Sequence, residues 1–237
     1  MNDRYTPQWL KEVLDRGFKP TKIYHDFDDG LFAYINAYGD KKYIAPNCKL
    51  YTLEGLPGAG KTTLLKRLSK YHNTNTVNQI LPCEPIDDQS MDFSFYLNSE
   101  ELKTKESTHS DKGVCIFDRY YVSTLAFYWA YDKIKNTNEY DRVYSWYKDA
   151  VVNRNIWQPF TVFYIDITPS TSLKRKNRIS SEANGNLWEN SAFLEYFREY
   201  YAYFYKNIES HTKVCYISGD LTLSDIEKII VKEIYEK

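Results

Sequence analysis

From Lys49 onward, short alternating or wholly apolar runs are separated by stretches whose apolar residues recur three and four apart. That succession predicts strands alternating with helices. Lys49 to Leu53 alternates and carries β-favouring side chains, so it predicts a strand. Thr63 to Ser69 places Leu64, Leu65 and Leu68 on one face of a helix. Asn78 to Leu81 predicts a second strand, ending at Pro82-Cys83-Glu84-Pro85, and Ser90 caps a helix running to about Thr108. Val114-Cys115-Ile116-Phe117 is apolar throughout, the pattern of a strand buried on both faces. Helices follow at about 121–132 and 139–153. Thr161 to Ile165 is a fourth strand, and Ser170 to Arg178 a short basic helix behind Pro169. Glu182 to Asn186 is a polar loop, and a long aromatic helix covers about 189–209. Lys213 to Ile217 is a fifth strand, and Ser224 to Tyr235 the closing helix. The fold class expected is α/β, a three-layer sandwich with a five-stranded parallel sheet between helices.

Residues 1–48 have a different texture and are expected to form an N-terminal extension to a domain over 49–237. Gln8 to Arg16 fits a short amphipathic helix stopped by Gly17. Strands at about 21–27, 31–38 and 42–46, joined by the turn dipeptides Asp29-Gly30 and Gly39-Asp40, make a β-meander. Either it caps the larger domain or it acts as a lid for the substrate.

The candidate chemistry starts at Gly55-Leu56-Pro57-Gly58-Ala59-Gly60-Lys61-Thr62, a full match to the P-loop pattern. It lies between a predicted strand and a predicted helix, the context the motif needs. Main-chain amides of Gly55, Gly58, Ala59, Gly60, Lys61, Thr62 and Thr63 are placed to curl around phosphate oxygens, helped by the helix N-terminus. Lys61 would reach the β- and γ-phosphates of ATP, and the Thr62 hydroxyl would hold Mg²⁺. Asp118 closes the buried strand, where a second Mg²⁺-organising oxygen belongs; its plainer role is a helix cap.

Length and charge narrow the rest. A chain of 237 residues can bury a full core, and its net charge of −1 marks no nucleic-acid polymer as partner. The four cysteines are widely spaced, which fits free thiols in a reduced compartment. No apolar run is long enough for a membrane span or a signal peptide, so a cytoplasmic protein is expected. Tyrosine is abundant, either as stacking surface or as compositional bias. The chain has no N-K-x-D element to read guanine, and Arg119 follows Asp118 where hydrolysis would want a base. Transfer of a phosphoryl group to a bound acceptor is favoured over hydrolysis.

Asp118-Arg119-Tyr120-Tyr121-Val122-Ser123-Thr124-Leu125-Ala126-Phe127 resembles the D-R-Y-x-x-S-x-x-A-[YF] stretch of thymidylate kinases. Leu53-Glu54-Gly55 is similar to that family's F-E-G. Tyr164-Ile165-Asp166-Ile167-Thr168-Pro169 with Arg175 and Arg178 is similar to its strand and arginine-bearing lid, and Ser218-Gly219-Asp220 also fits. The resemblance runs from about Leu50 to the C-terminus and covers the thymidylate kinase and deoxynucleoside kinase superfamily of P-loop kinases. It implies ATP-dependent transfer to a nucleoside monophosphate, dTMP first, or to a nucleoside 5′-hydroxyl, and a possible homodimer. Two departures bear on the acceptor. Cys83-Glu84-Pro85-Ile86 stands where thymidylate kinases carry R-E-P-G and looks more like the deoxynucleoside kinase E-P-[VI]. Asp118-Arg119-Tyr120 stands where deoxynucleoside kinases carry E-R-S.

Each remaining candidate has two roles open. Arg119 either touches the acceptor or moving phosphoryl, or closes a salt bridge. Arg175 and Arg178, three apart on a predicted helix, either share a face as a lid or belong to a solvated basic helix. Glu84 is a base for a hydroxyl, a ligand for the sugar, or structural. Phe93 and Tyr96 either sandwich a base or pack the core. A kinase for another small molecule and a non-catalytic ATP-binding module also stay open.

Overall fold

In a computed structural model, the structure describes residues 48–79, 93–108, 110–152, 155–157, 159–177, 186–208 and 212–236. The expected helix and β-meander of the N-terminal extension lie outside them.

The described chain runs β1 (Lys49–Glu54), α1 (Lys61–Leu68), β2 (Thr74–Val77), α2 (Phe93–Thr108), β3 (Val114–Asp118), α3 (Tyr121–Lys135), α4 (Glu139–Val152), β4 (Thr161–Asp166), α5 (Pro169–Arg175), α6 (Ser191–Ile208), β5 (Lys213–Ser218) and α7 (Leu223–Tyr235). A 3₁₀ turn (Leu187–Glu189) precedes α6. The five strands form one sheet in the order β2-β3-β1-β4-β5, every pair parallel, as expected. β3 and β4 are buried along their whole length, which is why their sequences read as unbroken apolar runs.

This order fixes where a ligand can sit. From β1 in the centre the chain moves to one side for β2 and β3, then crosses to the other for β4 and β5. The crevice at the carboxyl ends of β1 and β3 is therefore the topological switch point of the sheet. The glycine loop leaves β1 there, and Asp118 ends β3 there.

Two expected elements are placed differently. The second strand is Thr74–Val77, ahead of the expected Asn78 to Leu81. It is an edge strand, paired from Thr74↔Val114 to Val77↔Phe117, so alternating threonines serve where an apolar run was sought. The basic helix ends at Arg175, not Arg178: Asn177 takes the left-handed φ of 52 with which asparagine commonly stops helices. Arg178, the expected companion of Arg175 on that helix, lies outside the described residues.

The core answers the question that tyrosine posed. Among the described residues, the ten largest fully buried side chains are all tyrosines. They join α3 to α6 and α6 to the sheet through edge contacts, such as Tyr121 against Phe204 and Tyr164 of β4 against Tyr205. Buried hydroxyls pair where they meet, as Tyr140 with Tyr200 at 3.0 Å. No described helix is long and apolar enough to cross a membrane.

Candidate active site

Carbonyls of the glycine loop are occupied by donors, and within the loop Ala59 N–H donates to Leu56 O at 3.2 Å. Lys61 Nζ donates to the carbonyls of Gly55 and Leu56, both at 3.0 Å. Ser172 Oγ donates to Pro57 O at 2.7 Å, and Arg175 Nη1 to Gly58 O at 3.4 Å. The first amides of α1 have no intrahelical acceptor and point their partial positive charge outward. Only glycine fits at two points. A Cβ on Gly55 (φ 132) would lie 2.3 Å from Ile165 O, and one on Gly60 (φ 91) would lie 2.8 Å from Leu223 Cδ2.

A cavity of about 490 Å³ opens from this loop. It is lined by Gly58, Gly60, Lys61, Thr62, Thr63 and Arg175 from the loop and α5 side, and by the aromatic residues Tyr96, Phe127, Tyr128, Trp188 and Phe197. Asp118 and Arg119 also line it. Gly55 and Ala59 are buried within the loop behind it. Nine of the residues singled out from the sequence, Tyr96 among them, are thus brought to one cavity. Arg175 reaches across the loop to Gly219 O at 2.8 Å, tying α5 to the turn before α7. Tyr96 is on the wall, whereas the Phe93 side chain and all of Glu84 lie outside the described set.

Asp118 accepts from Thr62 Oγ1 at 2.7 Å through Oδ2, while its Oδ1 is buried with no hydrogen-bond partner among the described residues. A hydroxyl and a carboxylate with an oxygen to spare are hard ligands of the kind Mg²⁺ takes, one or two from protein and the rest from water and phosphate. The residues present therefore fit that ion.

Arg119 has φ 61, a left-handed conformation rare for a bulky side chain. Its guanidinium donates to Ser123 Oγ at 3.2 Å and lies 5.7 Å from the Phe197 ring and 6.0 Å from Trp188. Beneath it Glu54, 1% exposed, accepts from Tyr120 N–H (2.9 Å), Ser123 Oγ (2.6 Å) and Tyr201 Oη (2.8 Å). Burial pushes the Glu54 carboxyl above its usual range, against the pull of Arg119 and these donors. Burial, with Arg119 adding repulsion, pushes the Lys61 ammonium down to about 7.

Several of these residues carried no signal of their own in the sequence. Glu54 and Ser123 entered only through a resemblance, although a carboxylate ending an apolar strand is a usable sign of a buried acceptor. Tyr201 and Phe197, four apart on α6, face the site from a helix that read as core. Asp166, bonded bidentately to Arg198 at 2.9 and 3.1 Å, closes the end of β4.

Glu100, 4% exposed on α2, is pushed up to about 7 by burial despite Lys103 at 3.3 Å. Its folded value lies above the ordinary carboxyl value of 4.5, so the stability it contributes is full below about 4.5 and lost as pH rises through about 7. In urea titrations from pH 5 to 8, Glu100→Gln is expected to lose less stability with rising pH than the parent. Parallel curves would contradict this.

A thymidylate kinase family model matches residues 75–230, more than half of the chain. This chain belongs to the thymidylate kinase family. It is a phosphotransferase, a P-loop kinase of the nucleoside and nucleotide group. The matched stretch begins after the glycine loop, so the P-loop itself rests on the motif and on the β1–loop–α1 geometry. The fold is similar to that of deoxyadenosine kinase from M. mycoides with the products dCMP and a flexible dCDP bound, at 18% identity and TM-score 0.63, covering 79% of this chain and 100% of that one. The same enzyme with bound dATP matches at 18% identity and TM-score 0.62, covering 78% and 98%. With bound dCTP the TM-score is 0.58, again at 18% identity, covering 79% and 100%. At that identity the likeness is one of fold.

Proposed function

We propose that this kinase moves the γ-phosphoryl group of ATP to a deoxynucleoside monophosphate, with thymidylate as the first acceptor to test. The observation that carries this reading is one cavity lined both by the glycine loop with Lys61 and by aromatic side chains. Polyphosphate fits the amides and Lys61; a flat base fits between rings such as Phe127, Tyr96 and Trp188. Lys61 neutralises charge on the donor phosphates. Arg119, fixed by Ser123, offers its guanidinium to the transferring group or the acceptor. Arg175 closes over the loop from the other side. Mg²⁺, held by Asp118 and Thr62, would draw charge from the phosphate oxygens as it builds.

Transfer to a 5′-hydroxyl is the second reading. It is favoured by Cys83-Glu84-Pro85-Ile86, which offers a base and no arginine for an acceptor phosphate, and by the deoxyadenosine kinase fold match. A competition assay decides between them: equimolar deoxynucleosides and deoxynucleoside monophosphates with labelled ATP, products separated by chromatography. Label in dTDP supports the first reading, and label in a monophosphate the second. Label in neither would overturn both.

A further inference from the structure

Consecutive residues of an extended strand point to opposite sides of the sheet, yet Asp118 and Arg119 line the same cavity. What brings Arg119 round is its left-handed backbone. The peptide groups of this turn are gripped from two sides. On the β1 side, Arg119 N–H donates to Leu53 O at 3.1 Å and Tyr120 N–H to the Glu54 carboxylate. On the α2 side, Lys103 Nζ donates to Arg119 O at 3.1 Å and to Asp118 O at 3.5 Å. Lys103 is 1% exposed, and its third partner is Glu100 Oε2. A buried ammonium persists only when its donors and its charge are both answered. Here the two answers are the turn and the counter-ion.

We propose that Lys103 is a positioning residue for phosphoryl transfer, its ammonium locking the left-handed Arg119 turn so that two neighbours in sequence address the same reacting group. This rests on the kinase reading above and adds a residue that none of the motifs contains. Lys103 also borders the cavity, but its ammonium is held on the carbonyls of Asp118 and Arg119, and its effect is expected to pass through the side chains that these carbonyls orient.

The test is a double-mutant cycle. Lys103→Met combined with Glu100→Gln removes the ammonium without stranding a charged carboxylate. In the parent this pair is expected to lower kcat by about 10–100-fold, the scale of a misplaced catalytic group, with KM for ATP changed less than about 3-fold. In an Arg119→Ala background the same pair is expected to cost less than about 3-fold, because the group it aims is already gone. Lys103→Arg, which keeps the cation and its donors, should recover most of the rate. If the paired variant folds poorly, Lys103→Gln supplies the same cycle. Amide hydrogen exchange at Arg119 and Tyr120 supplies a readout that needs no acceptor, and it should quicken in the variant while β3 is unchanged. Equal losses in both backgrounds, an unchanged kcat, or unchanged exchange at these two amides would overturn the proposal. A parent protein that phosphorylates no acceptor would count against the kinase reading, while exchange would still decide the role of Lys103.

Discussion

Lys61→Ala is expected to lower phosphoryl transfer by at least ~10²–10³-fold, the effect of removing one preorganised donor from a transition-state site. The same variant should melt no lower than the parent at pH 7. Burial pushes the Lys61 ammonium down to about 7, which means that the folded chain holds this charge at a cost. For a group lowered in this way the cost is full below about 7 and shrinks as pH rises toward the usual lysine range. Alanine removes the cost together with the function. Thermal melts and initial rates on the same preparation check both halves. A variant with parental turnover would contradict the role given to Lys61, and one that does not fold would contradict the burial argument.

Arg119 gives the second large effect, and it separates chemistry from strain. Arg119→Ala and Arg119→Gly should both lose about 10²–10³-fold in kcat, because both remove the guanidinium from the lining of the cavity. Their stabilities should differ in the unusual direction. In most positions glycine is the less stable of the two, but at φ 61 it escapes the left-handed penalty, and Arg119→Gly should be about 1 kcal/mol more stable than Arg119→Ala. Urea midpoints read the difference. The opposite order would mean that the turn relaxes when the side chain is removed. Both variants should also raise the Glu54 carboxyl further, since the nearest opposing charge is lost.

How much of this was legible in the sequence follows the range over which each feature is decided. The P-loop was legible because strand, glycines and helix are set by neighbours in the chain, and the structure places Gly58, Gly60, Lys61, Thr62 and Thr63 on one cavity. β3 was legible because burial on both faces leaves only apolar residues to choose from. β2 was placed too late because an edge strand needs no such run, and Thr74 to Val77 is held by its pairing with β3. The helix after Pro169 was drawn too long because its stop is one asparagine rather than a glycine. The network under Arg119 was the least legible part. Glu54, Lys103 and Tyr201 come from β1, α2 and α6, and nothing local distinguishes a lysine on a helix surface from one pinned beneath a turn. Their roles exist only in the packed chain.

The fate of the γ-phosphoryl group tests the central claim most directly. The protein is incubated with ATP labelled at that position, Mg²⁺ and a mixture of deoxynucleosides and their monophosphates, and the label is followed by mass spectrometry. Transfer across the cavity predicts that the label appears in a nucleotide product, that little is released as inorganic phosphate, and that Lys61→Ala abolishes the signal. Label found only in inorganic phosphate, or still on ATP after prolonged incubation, would contradict it.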